Sequence, residues 1–386
     1  MTNIEYDSLL KWANDRGYNL HPAIEYKIVD GIGGMYATED IPKSTTLYTG
    51  PVSLFSEWGN KLVNNDYISR MFDEYKKGED SDIHQMFLAH ESLDSFKKSS
   101  IFFATADELS KLEEISPTDY AIALTTIDRI KHRSEWWSDK EPELSRDEIV
   151  WMLLNFDTRS WSDGGFNPIL DLFNHSNNVG ASRFNSEDGN KSKLIAVVDY
   201  KAGDQIYDSY GIHDMSKFLS SYNFFDRTDM HYVDLISRVD FPLSSDVDLK
   251  LYEEVKRRFT TKEIEVDGVK KYKIIDAGAF LTEYGPNTQF LVLVDIFARR
   301  DIETIDNPTQ TNQMNAAVVY FEWLNMFYDS MKPNLKSKDE LTDRLKPWHD
   351  VIVKEKLIIE NCLQWLKYTS TSALEIKLNE NLENSK

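Results

Sequence analysis

Residues 169–176 read Ile-Leu-Asp-Leu-Phe-Asn-His-Ser, an apolar run that ends in a cluster of small polar groups. Asn174 carries two donors and an acceptor, and a neutral His175 adds one of each, so the pair is suited to reading the edge of a base-like ring. A purely structural role is the alternative, with Asp171 and Asn174 as caps or turn formers and His175 as a satisfied core imidazole. A metal site is less favoured, because Asp171 and His175 would need one helix and a third ligand, and no H-E-x-x-H motif or cysteine cluster is present.

A second stretch, residues 203–211, reads Gly-Asp-Gln-Ile-Tyr-Asp-Ser-Tyr-Gly and is followed closely by more aromatic residues. Aromatic side chains at this density can line a narrow channel, although by themselves they more often belong to a core. The aromatic residues in question are Tyr207, Tyr210, Tyr222, Phe224 and Phe225. Upstream, Arg159 lies in the sequence Thr-Arg-Ser-Trp and adds a cation near this stretch. The alternative is a surface arginine whose stem covers aromatic neighbours while its charged end stays in water.

Residues 30–37 read Asp-Gly-Ile-Gly-Gly-Met-Tyr-Ala and hold three glycines in four positions. Without Cβ atoms the backbone there can turn sharply and approach a ligand. Either a ligand loop or a hairpin bend between two strands fits these residues. The stretch lacks both the G-x-G-x-x-G helix opening and a P-loop, so the sequence does not indicate a cradle for nucleotide phosphates.

The pattern along the chain predicts an α+β protein. Short strand-like runs near the start and again around residues 194–208 frame a polar, helical region of about residues 54–148. After residue 246 apolar residues recur at helical spacing, apart from a hairpin signal at Asp267-Gly268. We therefore expect a first domain over residues 1–226 that contains the helical insertion, and a mainly helical domain over residues 246–386.

Composition limits the partners. The 386 residues contain 44 Lys and Arg against 65 Asp and Glu, a net charge of −21. Such a field repels nucleic-acid backbones and favours a protein partner with a basic surface. The single cysteine, Cys362, and a polar start without a signal-like run predict a reducing intracellular compartment, with the cytoplasm favoured over the nucleus. The sequence shows no apolar run that would cross a membrane, and a monomer is expected.

Taken together, these stretches resemble the SET-domain protein methyltransferases, in the branch typified by the plant Rubisco large-subunit lysine methyltransferase. The resemblance covers residues 6–225 and rests on the order and spacing of the motifs. The matched stretches are Trp12 to Gly17, Gly31 to Ala37 followed by Ile41, Thr158 to Trp161, Asp171 to Ser176 and Gly203 to Gly211. A Tyr-Gly-Phe element that follows in the family departs here, because Asn223 stands in the place of the glycine.

The resemblance implies a SET-domain β fold of small sheets with an inserted helical region, and a cofactor, S-adenosylmethionine, without a metal. Arg159 would pair with the cofactor's carboxylate through charge-assisted hydrogen bonds, while Asn174 and His175 would hold its adenine and amino end. The residues implied in cofactor binding are Asp30, Gly31, Ile32, Arg159, Asn174 and His175.

The resemblance also implies a catalytic tyrosine, Tyr210, and a channel for the target side chain lined by Trp161, Tyr222 and Phe224. Because the cofactor's methyl group is already electrophilic, alignment of methyl and nucleophile would dominate catalysis, and Tyr210 would orient the acceptor without acting as the base. The implied activity is transfer of methyl groups to a lysine of a protein substrate. The alternatives are a histidine acceptor on the same fold and a non-catalytic SET-like module that binds protein through its C-terminal helices.

Overall fold

The structure is a computed structural model of the 386-residue chain. It describes residues 3–29, 32–52, 65–90, 92–161, 165–177, 180–185, 191–211, 213–225, 231–239, 241–266, 268–274, 278–298, 310–331 and 338–369. The chain divides into two compact units. Unit 1 comprises residues 1–103, 123–212 and 220–229, and unit 2 comprises residues 104–122, 213–219 and 230–386.

Helices make up much of both units. Within the described residues the α-helices are α1 (Asn3–Asn14), α2 (Asn65–Lys76), α3 (His84–Ala89), α4 (Leu93–Ser99), α5 (Ala106–Ile115), α6 (Pro117–Ser138), α7 (Arg146–Arg159), α8 (Met215–Tyr222), α9 (Asp246–Lys256), α10 (Thr288–Ala298), α11 (Gln310–Ser330) and α12 (Lys346–Thr369). No helix within the described ranges is both long and apolar enough to span a membrane.

The strands are short and pair antiparallel. They are β1 (Asn19–Leu20), β2 (Ile24–Val29), β3 (Ile32–Ala37), β4 (Thr46–Pro51), β5 (Ser160–Trp161), β6 (Gly165–Phe166), β7 (Ala181–Asn185), β8 (Lys191–Ala196), β9 (Gln205–Ile206), β10 (Phe241–Pro242), β11 (Thr261–Val266), β12 (Val269–Ile274), β13 (Leu281–Thr282) and β14 (Gly285–Pro286). Unit 1 holds the sheets β1-β4-β8-β7, β2-β3-β9 and β5-β6, and unit 2 holds β10-β12-β11 and β13-β14.

The core of unit 1 is built from the inner faces of these small sheets and of the helices around them. Fully buried residues from distant parts of the sequence meet there, among them Leu9, Leu47, Leu153, Phe173 and Ile206. Since each sheet is small, the helices supply much of the apolar surface that the strands bury.

Helix α7 is the element that carries Arg159, and its beginning is encoded locally. Ser145 accepts a hydrogen bond from the Glu148 amide while the Glu148 carboxylate accepts one from the Ser145 amide, which is a capping box. The helix continues for 14 residues and Arg159 is its last residue, where a cation interacts favourably with the helix dipole. The sequence pattern did not predict this helix, although its capping signal was available.

Unit 2 contains a buried cluster of charges. The Arg238 side chain is 3% exposed and lies 2.8 Å from Asp214, 2.5 Å from Glu355 and 3.7 Å from Asp119, while Ser216 also binds Glu355 at 2.9 Å. Burial, together with the other carboxylates, raises the pKa of Glu355 to about 8, although Arg238 opposes the shift. One guanidinium therefore lies against three carboxyl groups inside this unit, and the raised pKa of Glu355 lowers the negative charge that it has to balance.

Most of the predicted elements are confirmed. The amphipathic run near the start is α1, the turn at Gly268 joins β11 to β12 with a φ of 74°, and the helical runs beyond residue 246 are α9 to α12. Strand β7 was not predicted, because it alternates weakly and ends in polar residues. The helical segment that a shared metal at Asp171 and His175 would need is absent, since the 3₁₀ turn there ends at Leu172 and Phe173 is extended.

Candidate active site

Two segments of unit 1 bring the predicted polar residues together. The backbone at His175 forms a parallel bridge to Asp208, where the Asp208 amide donates to the Asn174 carbonyl at 2.9 Å and the Ser176 amide donates to the Asp208 carbonyl at 3.1 Å. These bonds hold residues 173–176 beside residues 208–210. The two stretches singled out in the sequence are therefore neighbours in the fold.

Tyr210 is fixed at both ends by the first of these segments. Its amide donates to Nδ1 of His175 at 3.0 Å, and its hydroxyl donates to the backbone carbonyl of Phe173 at 2.6 Å. Burial raises the pKa of the Tyr210 phenol well above its ordinary value, although the nearby Arg159 charge opposes the shift. Tyr210 therefore stays protonated and offers its oxygen as an acceptor.

His175 is buried, with 5% of its surface exposed, and its ring lies 5.3 Å from that of Tyr210. Because Nδ1 accepts the Tyr210 amide, the neutral ring carries its proton on Nε2. One half of the imidazole is thus committed to positioning Tyr210.

The glycines of β3 make room for side chains that cross the strand. A Cβ at Gly33 would lie 1.8 Å from the Tyr26 hydroxyl, and a Cβ at Gly34 would lie 2.4 Å from Nε2 of Gln205 and 2.9 Å from Nδ2 of Asn174. Asn174 also donates from Nδ2 to the Gly33 carbonyl at 2.8 Å. Both glycines are therefore required by the packing of neighbouring side chains, whether or not a ligand binds. The hydrogen bond to the Gly33 carbonyl also fixes Asn174 near the start of β3.

Arg159 projects from the end of α7 and is held by two acceptors. Its Nε donates to Oδ1 of Asn155 at 3.3 Å and a terminal nitrogen donates to the Asp171 carbonyl at 3.2 Å. Its charge lies close enough to Tyr210 and Tyr26 to act on the pKa of both phenols. A fixed cation thus lies near the tyrosine that the sequence marks as catalytic.

The residues expected to line a channel are partly described. The Tyr222 ring lies 5.3 Å from the Tyr210 ring, and burial raises the pKa of the Tyr222 phenol. Phe224 is half-buried two residues beyond the end of α8. Trp161 lies in β5, where the structure describes its backbone but not its side chain. Tyr222 is therefore the predicted channel residue that the structure brings against Tyr210.

The glycine-rich end of the β2–β3 hairpin is only partly described. Asp30 and Gly31, both expected at the cofactor, lie outside the described residues. Ile32 begins β3 opposite Val29, and 64% of its surface is exposed. An exposed aliphatic side chain at this position is available to a ligand but is not evidence for one.

Three polar residues of the site were missed by sequence reasoning. Asn155 orients Arg159, Gln205 accepts from the hydroxyls of Tyr36 at 3.0 Å and Tyr207 at 2.9 Å, and burial raises the pKa of Asp208 to about 6. Asn155 lies four residues before Arg159 on α7, a helical spacing that could have indicated the pair. Within the described residues no group of three or more His, Cys, Asp or Glu is arranged to hold a metal ion.

Comparison with known families agrees with this geometry. A family model for the SET domain matches residues 33–211, which run from Gly33 through Arg159, Asn174 and His175 to just beyond Tyr210. These residues make up just under half of the 386-residue chain.

Among curated proteins the chain is similar to actin-histidine N-methyltransferases. It is 24% identical over 217 residues to the protein of Otolemur garnettii, a match that covers 55% of this chain and 34% of that protein. It is 33% identical over 64 residues to the protein of Xenopus tropicalis, which covers 17% of this chain and 11% of that protein. The chain thus spans about a third of the first relative's length.

Solved structures of Rubisco LSMT are similar over nearly the whole chain. The structure bound to sinefungin and monomethyllysine has a TM-score of 0.60 at 13% identity, covering 94% of this chain and 92% of that one. The structure bound to AdoMet has a TM-score of 0.57 at 14% identity, with the same coverage. The predicted fold class, a SET fold of small sheets with helices and a helical C-terminal region, is confirmed.

Proposed function

We propose that this SET-domain chain is an S-adenosylmethionine-dependent protein N-methyltransferase that modifies a lysine side chain. The observation that carries the proposal is the arrangement of Tyr210. Its ring lies 5.3 Å from those of both His175 and Tyr222, and its hydroxyl proton is committed to the Phe173 carbonyl. A phenol held in this way presents an oxygen of fixed position without giving up a proton.

The chemistry of the donor set fits the proposed cofactor. Arg159 supplies a fixed cation for a carboxylate, His175 positions Tyr210 through its Nδ1, and Asn174 supplies an amide beside the Gly33 carbonyl. When bound, the cofactor supplies an electrophilic methyl group. The residues of the chain then have to bind the cofactor, orient its methyl group toward the acceptor and exclude water. Such alignment lowers a reaction barrier by about 7 to 11 kcal/mol in favourable cases.

Tyr210 acts in this proposal as an orienting acceptor. Since burial keeps its phenol protonated, it does not serve as the base. A target lysine, with an ordinary pKa of about 10.4, would lose its proton because a dry channel and a nearby positive charge both disfavour its cationic form. Arg159 adds to that positive field.

A lysine acceptor is favoured over histidine by the extent of the structural likeness. The similar structures that cover 94% of this chain include one bound to sinefungin and monomethyllysine, whereas the actin-histidine enzymes match at most 55% of it. Histidine remains the second candidate because those relatives carry that activity in their names. A neutral imidazole would need no deprotonation at pH 7, so the two acceptors predict different pH profiles.

The experiment is methylation of a cell lysate by the purified protein with labelled cofactor, followed by mass spectrometry of the modified peptides. Label on lysine, lost in a variant without the Tyr210 hydroxyl, would support the proposal. Label on histidine would reject the lysine acceptor and support the second candidate, a histidine N-methyltransferase. Cofactor binding without any transfer would instead support a non-catalytic SET-like module that binds protein through its C-terminal helices.

The partner proposal rests on charge. A net charge of −21 favours a protein substrate with a basic surface, and we assign its binding to the helical region from residue 246 onward. Methylation should slow as salt rises, because screening shortens the range of the field to about 8 Å at physiological ionic strength. A methylation rate that did not change with salt would show that electrostatic steering does not contribute to substrate binding. The cytoplasm stays the proposed compartment, on the basis of the single cysteine.

A further inference from the structure

A small cavity in unit 1 is lined in part by Asn155, one of the two acceptors that hold Arg159. It has a volume of about 10 Å³ and is lined by five apolar side chains and two polar ones, His90 and Asn155. The apolar lining residues are Ile68, Met71, Met152, Phe156 and Phe166. This volume is at the lower limit of the space that one water molecule needs, about 10 to 15 Å³.

His90 is the unusual member of this lining. It is 7% exposed and packs against the rings of Trp151 and Phe166, at 6.3 Å and 5.9 Å. Neither of its ring nitrogens has a hydrogen-bond partner among the described residues. A buried polar atom without a partner destabilises the fold, so native proteins usually satisfy such atoms with protein or water.

Asn155 links the cavity to Arg159. Its Nδ2 donates to the Trp151 carbonyl at 2.8 Å, and its Oδ1 accepts from Nε of Arg159 at 3.3 Å. An amide oxygen has two lone pairs and can accept a second hydrogen bond. His90 is also electrostatically close to the same cation, because burial first and the Arg159 charge second lower the pKa of His90 well below its ordinary value. The imidazole is therefore neutral and offers one donor and one acceptor.

We infer that a single ordered water occupies this cavity, bridges His90 to Asn155, and makes His90 a positioning residue for Arg159. The water would donate to Oδ1 of Asn155 and bond to one of the two unpartnered ring nitrogens of His90. Asn155 would then present its oxygen to Nε in one orientation only. The consequence for cofactor binding rests on the proposed function, in which Arg159 pairs with the cofactor's carboxylate.

The test compares two ligands in calorimetric titrations, S-adenosylmethionine and its decarboxylated form, which lacks only the carboxylate. H90F keeps an aromatic ring of similar shape but removes both nitrogens. We expect H90F to weaken binding of S-adenosylmethionine by about two- to tenfold, the usual worth of one hydrogen bond, and to leave binding of the decarboxylated form unchanged. H90Q, which retains a donor and an acceptor, should restore part of the loss. M152L, an apolar change in the same cavity, is the matched control and should alter neither affinity.

Equal weakening of both ligands, or no effect on either, would overturn the inference while leaving the proposed function intact. Failure of the wild-type protein to bind S-adenosylmethionine would instead overturn the proposed function. Should H90F not fold, a high-resolution crystal structure of the wild-type protein decides the question. Density for a water within hydrogen-bond distance of both His90 and Asn155 supports the bridge, and a dry cavity overturns it.

Discussion

The Tyr210 hydroxyl donates a 2.6 Å hydrogen bond to the backbone carbonyl of Phe173, 37 residues earlier in the chain. Because that carbonyl belongs to the segment that also holds Asn174 and His175, the position of the phenol oxygen is coupled to the proposed cofactor residues. A shift of residues 173–175 would move the tyrosine with them. This coupling gives the proposed mechanism its clearest test.

Tyr210→Phe removes the hydroxyl and keeps the ring. We expect kcat and kcat/KM for methyl transfer to fall together by about 10²-fold, as for the loss of one well-placed polar group, with little change in cofactor affinity. Stability should fall by only about 1 kcal/mol, because the bond to the Phe173 carbonyl is lost. Steady-state kinetics and thermal melts on one preparation separate the two effects. Unchanged turnover with a lower Tm would make Tyr210 a core residue only.

Arg159→Ala should weaken binding of S-adenosylmethionine by about 1.5 to 3 kcal/mol, the usual worth of hydrogen bonds to a charged group. The change also frees Asn155 and the Asp171 carbonyl, which Arg159 now binds. Calorimetric titration measures the effect. Arg129→Ala is the control, since Arg129 pairs with Asp157 near the surface and its loss removes the same charge. Equal affinities for wild type and Arg159→Ala would reject the proposed carboxylate contact.

Asn223 adopts a left-handed backbone conformation, with a φ of 63°, at the position where the family has glycine. Asparagine tolerates this region better than other non-glycine residues do, and its Nδ2 donates to the Ser99 hydroxyl at 2.5 Å. We expect Asn223→Ala to lower the free energy of unfolding by about 1 to 2 kcal/mol from backbone strain, in addition to the lost bond. Asn223→Gly should lose only the bond.

Urea denaturation of both variants, with Ser99→Ala as a third, isolates the backbone contribution. Ser99→Ala removes the hydrogen bond but leaves the residue at 223 as it is. If Asn223→Ala and Asn223→Gly were equally stable, the positive φ would carry no energetic weight at this position.

Asp208 is buried, and desolvation raises its pKa to about 6. The folded protein therefore binds more protons than the unfolded one between about pH 4 and pH 6, so the contribution of Asp208 to stability declines as pH rises through this window. Asp208→Asn removes the buried charge and keeps an acceptor for the Ser209 amide. We expect the variant to be more stable than wild type by about 2 to 3 kcal/mol at pH 7 and equal to it near pH 4.

Denaturation curves at several pH values measure this difference. Asp128→Asn, at an exposed position, controls for the loss of one surface charge. A gain from Asp208→Asn that did not depend on pH would show that titration of Asp208 is not its cause.

The buried cluster around Arg238 predicts opposite outcomes for two substitutions. Arg238→Met leaves Asp119, Asp214 and Glu355 without their shared cation and should destabilise unit 2 by about 3 to 5 kcal/mol. Glu355→Gln should raise stability at pH 7, because a carboxyl with a pKa of about 8 is mostly protonated there in the folded protein but ionised in the unfolded one. Since that pKa is raised on folding, wild-type stability should decline from about pH 4.5 to pH 8, and Glu355→Gln should flatten the decline.

Unfolding followed by tryptophan fluorescence compares the two variants. An Arg238→Met protein as stable as wild type would mean that the carboxyl groups are neutral without the guanidinium. A Glu355→Gln protein with the same pH dependence as wild type would assign the decline to another group.

Patterns that depend on near neighbours could be read from the sequence. The spacing of apolar residues predicted α1 and α9 to α12, and Asp267-Gly268 predicted the turn between β11 and β12, because each pattern reflects contacts a few residues apart. The order of the motifs around Arg159, Asn174 and Tyr210 was enough to predict a SET fold. Helix α7 was not predicted, although Ser145 and Glu148 mark its start with a capping box. Its local signal was therefore present in the sequence.

Only the tertiary structure decided what these residues touch. Gln205 lies over Gly34, 171 positions away in the chain, and the Tyr210 hydroxyl binds Phe173. The raised pKa of Asp208 arises from burial, which no local pattern encodes. Hydrogen bonds and desolvation at the site depend on which distant segments the core brings together, whereas the sequence by itself determined the helices, the hairpin and the order of the motifs. The physical difference is range, since a pattern within one turn or strand is local and a site is assembled by packing.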